Sequence, residues 1–404
     1  MNKKRLLFIV IFSLIILIFF GIVMAHELKH GDFPPHIAWA KEYSTNGYLY
    51  KIPHTLFAKL VVIIRALLPA NAAVWISPLA KQVYDLKSFE LSTLILMSLT
   101  YLSVGLIILF RMIRDWDIKQ NKFLFFSALA TFSIMIVGPI FLFTFPDRMF
   151  LGYITGNRFD SPTYILSKPF VLLVFIGIVD NFFSKWNWKQ GFIMVLVMMC
   201  ATLAKPSLTI TIIPAIGIVI LLNLKKFKLV NWGYFFIPMG LTAAIVLFFQ
   251  FIINYVGDRG DRIIIAPFKA ILYYVPNLSM VALLIFLSIF FPLFVTIIYW
   301  RRIQSNVAFQ LAWVNFFVSL AYAFIFAEEI NLPVNNFWNS PMIAVFVLFF
   351  VTVTYWGKSC IEKIQNKEKL TINQIVASGI LGLHIVCGII YYCATIASTT
   401  IMVN

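Results

Sequence analysis

The sequence is short of charge. Only 12% of its 404 residues are Asp, Glu, Lys or Arg, too few to coat the core of a water-soluble domain of that length. Acids are the scarcer sign, 16 against 32 Lys and Arg. Cysteine is also rare, with Cys200, Cys360, Cys387 and Cys393 the only four. They lie in or beside apolar stretches without paired spacing, which excludes a disulfide framework or a cysteine metal knot. They read as small buried hydrophobes. No internal repeat, low-complexity tract or soluble domain interrupts the chain.

What fills the sequence is apolar: 61% of the chain is hydrophobic and 17% of the chain is aromatic. Runs such as Leu6–Met24 and Val281–Trp300 are apolar almost throughout. Inside a bilayer every backbone polar group must pair internally, so such runs form helices or barrel strands, and barrel strands would alternate in polarity. The expected fold class is therefore all-α. The chain reads as a polytopic integral membrane protein with about eleven transmembrane helices, a single transmembrane domain over 1–404, and the lipid bilayer as its partner. The expected spans are Leu6–Met24 and then 92–110, 123–145, 162–183, 191–204, 207–223, 232–254, 276–299, 307–326, 338–356 and 372–396.

A net charge of +16 suggests nucleic acid until its placement is considered. Eighteen of the 32 cations fall in six segments beside apolar runs, the positive-inside pattern rather than a phosphate-binding face. No nucleic-acid partner is expected. Lys3, Lys4 and Arg5 put the N-terminus in the cytoplasm of a cell membrane. Val23 and Ala25 would suit a signal cleavage, but a retained first helix is the better reading. Residues 26–91 then form the first extracytoplasmic loop. Its apolar piece, Thr55–Leu68, is too short to cross and carries Thr55, Lys59 and Arg65 on one side, as a helix lying in the interface would. With that piece not crossing, the later inner loops hold fifteen Lys and Arg against six in the outer ones. Six of the ten tryptophans also stand beside the inner loops, as an interfacial belt does. Gly191–Asn223 is read as two short spans whose connection, Lys205-Pro206, carries Lys205 below the outer surface.

Eleven of the sixteen acids fall outside in this topology, with cations nearby, which points to a polar outer cavity. Asp32, in Gly31-Asp32-Phe33-Pro34-Pro35-His36, is placed to accept a proton from a substrate hydroxyl, with His36 close by. It could equally N-cap a helix begun by the prolines. Just before it, His26-Glu27-Leu28-Lys29-His30 has the spacing of a zinc site, although Gly31 would end that helix at once. Arg148, Arg158, Asp160 and Lys168, in and after the loop 145–163, could hold a phosphate and sugar hydroxyls. Local pairing and a cap before Pro162 are the bland alternative. Lys205 meets either an anion or the outer headgroups. Glu328, Asn336 and Trp338 offer acid, amide and aromatic face to a sugar, or an interfacial anchor. The loop Gly257–Arg262 reads as a solvated turn.

The order of parts resembles the GT-C superfamily of polytopic membrane glycosyltransferases. A basic start and first span precede an outer loop with an early acid, Gly31-Asp32-Phe33, then an interfacial helix and a long series of spans. Asp32–Ala40 is similar to the first-loop segment of several such enzymes. The resemblance implies transfer of a sugar from a polyprenyl-phosphate-linked donor to an extracytoplasmic acceptor, a glycan, lipid or protein. It makes Asp32 the general base or metal-adjacent acid of an inverting transfer, and gives the lipid phosphate to Lys205, Arg148 or Arg158. No cofactor is implied; no second acid adjoins Asp32, which argues against a metal-dependent variant. An O-antigen-type polymerase or ligase, a lipid or polysaccharide transporter and a membrane zinc protease are the competing readings.

Overall fold

A computed structural model describes residues 3–47, 54–69, 73–77, 82–85, 87–118, 123–142, 152–255, 262–330, 332 and 336–397. The architecture is all-α. Among the described residues eight helices are long and apolar enough to cross a membrane, consistent with a multi-pass membrane protein. In chain order the elements begin with α1 (Lys3–Glu27), α2 (Phe33–Asn46) and α3 (Thr55–Leu67). A hairpin of β1 (Ala73–Ser77) and β2 (Gln82–Asp85) leads to α4 (Phe89–Asp115) and α5 (Leu124–Ile136). After these come α6 (Pro162–Asn181), α7 (Trp188–Ala204), α8 (Thr209–Leu222) and α9 (Trp232–Tyr234). A π-helical stretch, Phe235–Leu241, joins α9 to α10 (Thr242–Tyr255). Then follow β3 (Ile263–Ile265), α11 (Lys269–Leu272), α12 (Leu278–Ile303), α13 (Val307–Ile325), β4 (Phe326–Glu328), α14 (Asn339–Gln365) and α15 (Ile372–Ala397).

Hydrogen bonds between helix ends sort those ends into two groups. At one end of the bundle, Arg5 Nη2 donates to Ile118 O at 2.8 Å, and Arg111 reaches Asp180 at 2.9 Å. There too Asn231 N meets Phe182 O at 3.1 Å and Asn223 meets Gln310 at 2.7 Å. At the other end, Asp32 N donates to Asp160 O at 2.9 Å and Gln250 Nε2 to Thr202 O at 3.0 Å. Helices α7 and α8 thus form a hairpin whose turn carries Lys205, with Thr202 and Thr209 hydroxyls 2.9 Å apart across it. Neither helix is as long as a full span. α14, apolar and buried along most of its length, is the central pillar. α2 and α3 pack together over α4, burying Phe57, Ala58 and Val61 of α3 while Lys59 and Leu67 stay exposed.

The stretch expected to span over 123–145 does not run as one helix. α5 stops at Ile136, and 137–142 is non-helical. Pro139 lacks an N–H and biases Gly138 away from the helical region, so the helix ends before them. The freed backbone is satisfied by neighbours, as it must be away from water. Gly138 N donates to His384 O at 3.0 Å, His384 Nδ1 donates to Gly138 O at 2.7 Å, and Ile140 N to Leu287 O at 3.1 Å. Leu287 O is available because α12 kinks at Ile289 (φ −118°, ψ 15°), three residues before Pro292. The partner it gave up, Phe291 N, donates to His384 Nε2 at 3.3 Å. One imidazole therefore joins α12, α15 and the end of α5, and both hydrogen bonds require it neutral with the proton on Nδ1.

Candidate functional site

Asp32 precedes α2, but its carboxylate caps nothing. The reason lies in the next residues. Phe33 N already donates to His30 O, Pro34 and Pro35 have no N–H, and His36 N donates to Asp32 O. No orphan donor is left for the side chain to accept from. The Asp32 side chain stays 55% exposed. Its backbone is fixed from below through the Asp160 carbonyl. Gly31, at φ +55°, lets that contact form: a Cβ there would lie 2.8 Å from Asp160 Cβ and 2.9 Å from its carbonyl oxygen.

Beneath the exposed acid lies a buried ion pair. Arg158 Nε and Nη2 donate to the two Asp160 oxygens at 2.8 and 2.7 Å, and Nη1 donates to Asn339 Oδ1 at 3.2 Å. The side chains are 5% and 10% exposed. Arg158 Nη2 is also 4.0 Å from Asp32 Oδ2. Burial works against the Arg158 cation, but Asp160 beside it holds the guanidinium above the ordinary arginine range. Burial likewise pushes the Asp160 carboxyl up, and Arg158 pulls it back. The pair is the fork-to-carboxylate geometry arginine favours.

Asn157 anchors the loop that carries this pair. Its amide donates to Ile134 O and Val137 O at 2.9 and 3.0 Å, closing the end of α5, and its oxygen accepts from Lys168 Nζ at 2.8 Å. Lys168 is 1% exposed, with its ammonium over the Phe346 ring at 4.9 Å and the Tyr164 ring at 5.3 Å. Gly156 packs so closely on the Phe346 backbone that a Cβ would come within 3.0 Å of it.

Lys205, at the α7–α8 turn, is 5% exposed, and among the described residues its ammonium has no hydrogen bond or ion pair. Burial, and after it the nearby Arg158 charge, pull Lys205 down to about 8, while Asp32, Asp160 and Glu328 act in the other direction. His36 is buried against Trp39 and Phe57. Burial and the Lys205 charge push its imidazole down to about 3, so it stays neutral. Glu328 accepts from the Asn336 amide at 3.0 and 3.2 Å, and Asn339 Nδ2 donates to Asn336 O at 3.1 Å. Trp338 is buried, and among the described residues its indole N–H has no partner.

Of the residues singled out from the sequence, Asp32, Arg158 and Asp160 are in contact, and Lys205 and Glu328 are within electrostatic range of them. Asn336 joins through Glu328 and through Asn339. Lys168 lies deeper, engaged by Asn157. Arg148 and most of Gly257–Arg262 lie outside the described residues. The histidines of His26–His30 do not converge. His26 Nδ1 meets Glu27 at 3.2 Å, His30 Nδ1 donates to His26 O, and the rings stack at 4.3 Å. Among the described residues no group of three or more His, Cys, Asp or Glu is arranged to hold a metal. Sequence reasoning did not single out Asn157, Asn339 or His54. Asn157 stands beside Arg158 in a polar loop and Asn339 three residues after Asn336, so neither amide was set apart from its polar neighbours by the sequence. No protein-family model matches the chain, and no curated protein matches it.

Proposed function

We propose that this protein is a membrane glycosyltransferase of the GT-C type. It moves a sugar from a polyprenyl-phosphate donor to an acceptor on the extracytoplasmic side. In this reading about eleven segments cross the bilayer, with α5, α7 and α8 among them as short crossings, and α2 and α3 rest in the outer interface. The N-terminus is cytoplasmic, so Asp32, Lys205 and Glu328 sit at the outer end. The observation that carries the reading is the state of Asp32: an exposed carboxylate spent on no cap, held over a buried Arg158–Asp160 pair with an unpaired ammonium in range.

The chemistry follows from those positions. Asp32 accepts the proton of the acceptor hydroxyl as that oxygen bonds to the anomeric carbon. The carbon–oxygen bond to phosphate breaks on the opposite face, its electron pair going to the phosphate oxygen, where Lys205 offsets the developing charge. Glu328 and the Asn336 amide offer an acceptor and a donor to sugar hydroxyls, and Arg158, 4.0 Å away, helps to aim the Asp32 carboxylate. The test is transfer of radiolabelled sugar from a polyprenyl phosphate by membranes containing the protein. Asp32→Asn should abolish transfer while expression and folding stay intact; unchanged turnover would falsify Asp32 as the base.

A second reading, a lipid or polysaccharide transporter, draws support from the half-helix α5 meeting the kink of α12, since broken helices at depth recur in transporters. Substrate movement across sealed vesicles that Asp32→Asn leaves untouched would favour it.

A further inference from the structure

At the end of the bundle that carries Arg5, two loops are joined into one surface. Asn231 makes the joint. Its backbone N–H donates to Phe182 O at 3.1 Å, its Nδ2 donates to Ser184 Oγ at 3.2 Å, and its Oδ1 accepts from Tyr234 N at 3.2 Å. The Trp186 indole lies across the same joint: a Cβ at Gly191 would run into that ring, and one at Gly233 would lie 3.1 Å from it. Asn187 caps α7 by accepting from Lys189 N at 3.0 Å, and the Trp232 ring packs on Phe227 at 4.9 Å. Lys226 reaches across to the Phe183 ring at 5.3 Å. The loop before α7 and the 3-10 turn Leu224–Leu229 after α8 are thus held against each other. This surface carries Lys185, Lys189, Lys225, Lys226 and Lys228, all exposed. No Asp or Glu occurs between Asp180 and Asp258, and Asp180 is engaged by Arg111 and Arg114. Among the described residues none of the five ammoniums has an ion pair, whereas Arg111, Arg114 and Lys363 at the same end are bonded to carboxylates.

Apolar groups are open on the same surface: Trp188, Leu224 and Leu229 are 67, 59 and 60% exposed. In a 3-10 turn residues three apart lie in one row, so Leu224 and Phe227 form an apolar row beside the row of Lys225 and Lys228. We propose that this platform is a binding site for an anionic phospholipid of the adjoining leaflet. A soluble anion would match the ammoniums and leave the leucines and indoles in water; an uncharged lipid would do the reverse. A headgroup phosphate with its acyl chains satisfies both rows at once. Indoles such as those of Trp186, Trp188 and Trp232 favour that boundary. A positive-inside bias needs only cations in a loop, but the Asn231 joint and the two glycines that seat Trp186 hold these at fixed spacing. In the orientation proposed above the leaflet is the cytoplasmic one, and the site is otherwise independent of the transfer reading.

The experiment is native mass spectrometry of the full-length protein, delipidated in neutral detergent and titrated with phosphatidylglycerol or phosphatidylcholine. An ammonium beside an anionic headgroup is worth about fivefold in affinity, so the wild type binds its first phosphatidylglycerol about tenfold or more tightly than its first phosphatidylcholine. The triple variant Lys225→Gln, Lys226→Gln, Lys228→Gln reduces that preference to about twofold or less, and arginine at the same three positions retains most of it. Lys358→Gln, Lys367→Gln, Lys369→Gln removes three exposed lysines at the same end but off the platform. It leaves the preference within about twofold of the wild type, because a screened charge acts only on its near neighbours. All six lysines are exposed, so neither variant disturbs the core. Equal affinity of the wild type for the two lipids overturns the proposal. So does a preference that survives the platform variant, or one that falls equally in the off-platform variant. Glycerol 3-phosphate, an anionic headgroup fragment without acyl chains, should fail to displace the bound lipid; displacement at matched concentration would make this a site for a soluble anion and overturn the lipid assignment.

Discussion

Removing one partner of the Arg158–Asp160 pair should expose how much of the outer end depends on it. The two side chains are 5% and 10% exposed and share hydrogen bonds of 2.7 and 2.8 Å. Desolvation of two such ions is offset only by their mutual contact, so loss of one leaves the other stranded, at about 3–5 kcal/mol. Asp160→Ala is the cleaner of the two single changes. It keeps the Asp160 carbonyl that holds Asp32 N, so the loop connection survives while the ion pair does not. Arg158 then retains Asn339 at 3.2 Å and the exposed Asp32 at 4.0 Å, which replace a fraction of the lost contact. Arg158→Met should cost a similar amount, because Asp160 has no second cation bonded to it among the described residues. The double variant Arg158→Met with Asp160→Leu places apolar groups where ions stood and should cost about 2 kcal/mol or less, a coupling of about 4 kcal/mol or more. Unfolding in mixed micelles of mild detergent and dodecyl sulfate reads all three. A single-variant cost below about 1 kcal/mol, or additivity in the double variant, would refute the claim that the pair is buried and mutually dependent.

Two more expectations follow from local geometry. Gly31→Ala meets both a positive φ and the Asp160 backbone, so it should destabilise by over about 2 kcal/mol and lower any activity. Gly47→Ala, at φ +73° with nothing within 4 Å, should cost only about 1 kcal/mol; equal costs at the two positions in the same unfolding assay would show that the Asp160 contact is not there. Burial, and after it the Lys205 charge, push the folded His36 imidazole down to about 3, well below the ordinary imidazole value of 6.5. Between those values the unfolded chain binds the extra proton, so stability should fall as pH drops from about 6.5, by at most about 1.4 kcal/mol per pH unit from this group. His36→Gln should flatten that part of the profile, and an unchanged slope would mean that the imidazole is solvated.

Much of the helical layout was legible because apolar length is a one-dimensional property. The runs over α1, α4, α12 and α14 needed no partner to be recognised. α5 was overextended in the sequence reading because hydropathy continues through 137–142 while the backbone does not. Gly138-Pro139 was the visible signal, yet the bonds that make the break tolerable come from His384 and Leu287, far along the chain. Asp32 was picked out by its position, and the prolines that free its carboxylate were in plain view. Arg158 and Lys168 looked alike in the sequence as candidate phosphate ligands. Their partners separate them: a carboxylate two residues away for one, an amide and two aromatic rings for the other. Asn339 stands 181 residues from Arg158, and no spacing argument reaches that far.

The claim on which the rest depends is that Asp32, Lys205 and the α2–α3 pair face the outside of the cell. Single cysteines at the exposed positions Lys41 and Lys189, in a background with the native cysteines replaced, can be challenged in intact cells with a membrane-impermeant maleimide. The account predicts rapid labelling at 41 and labelling at 189 only after the membrane is opened. The reverse pattern would put the carboxylate in the cytosol and contradict the account.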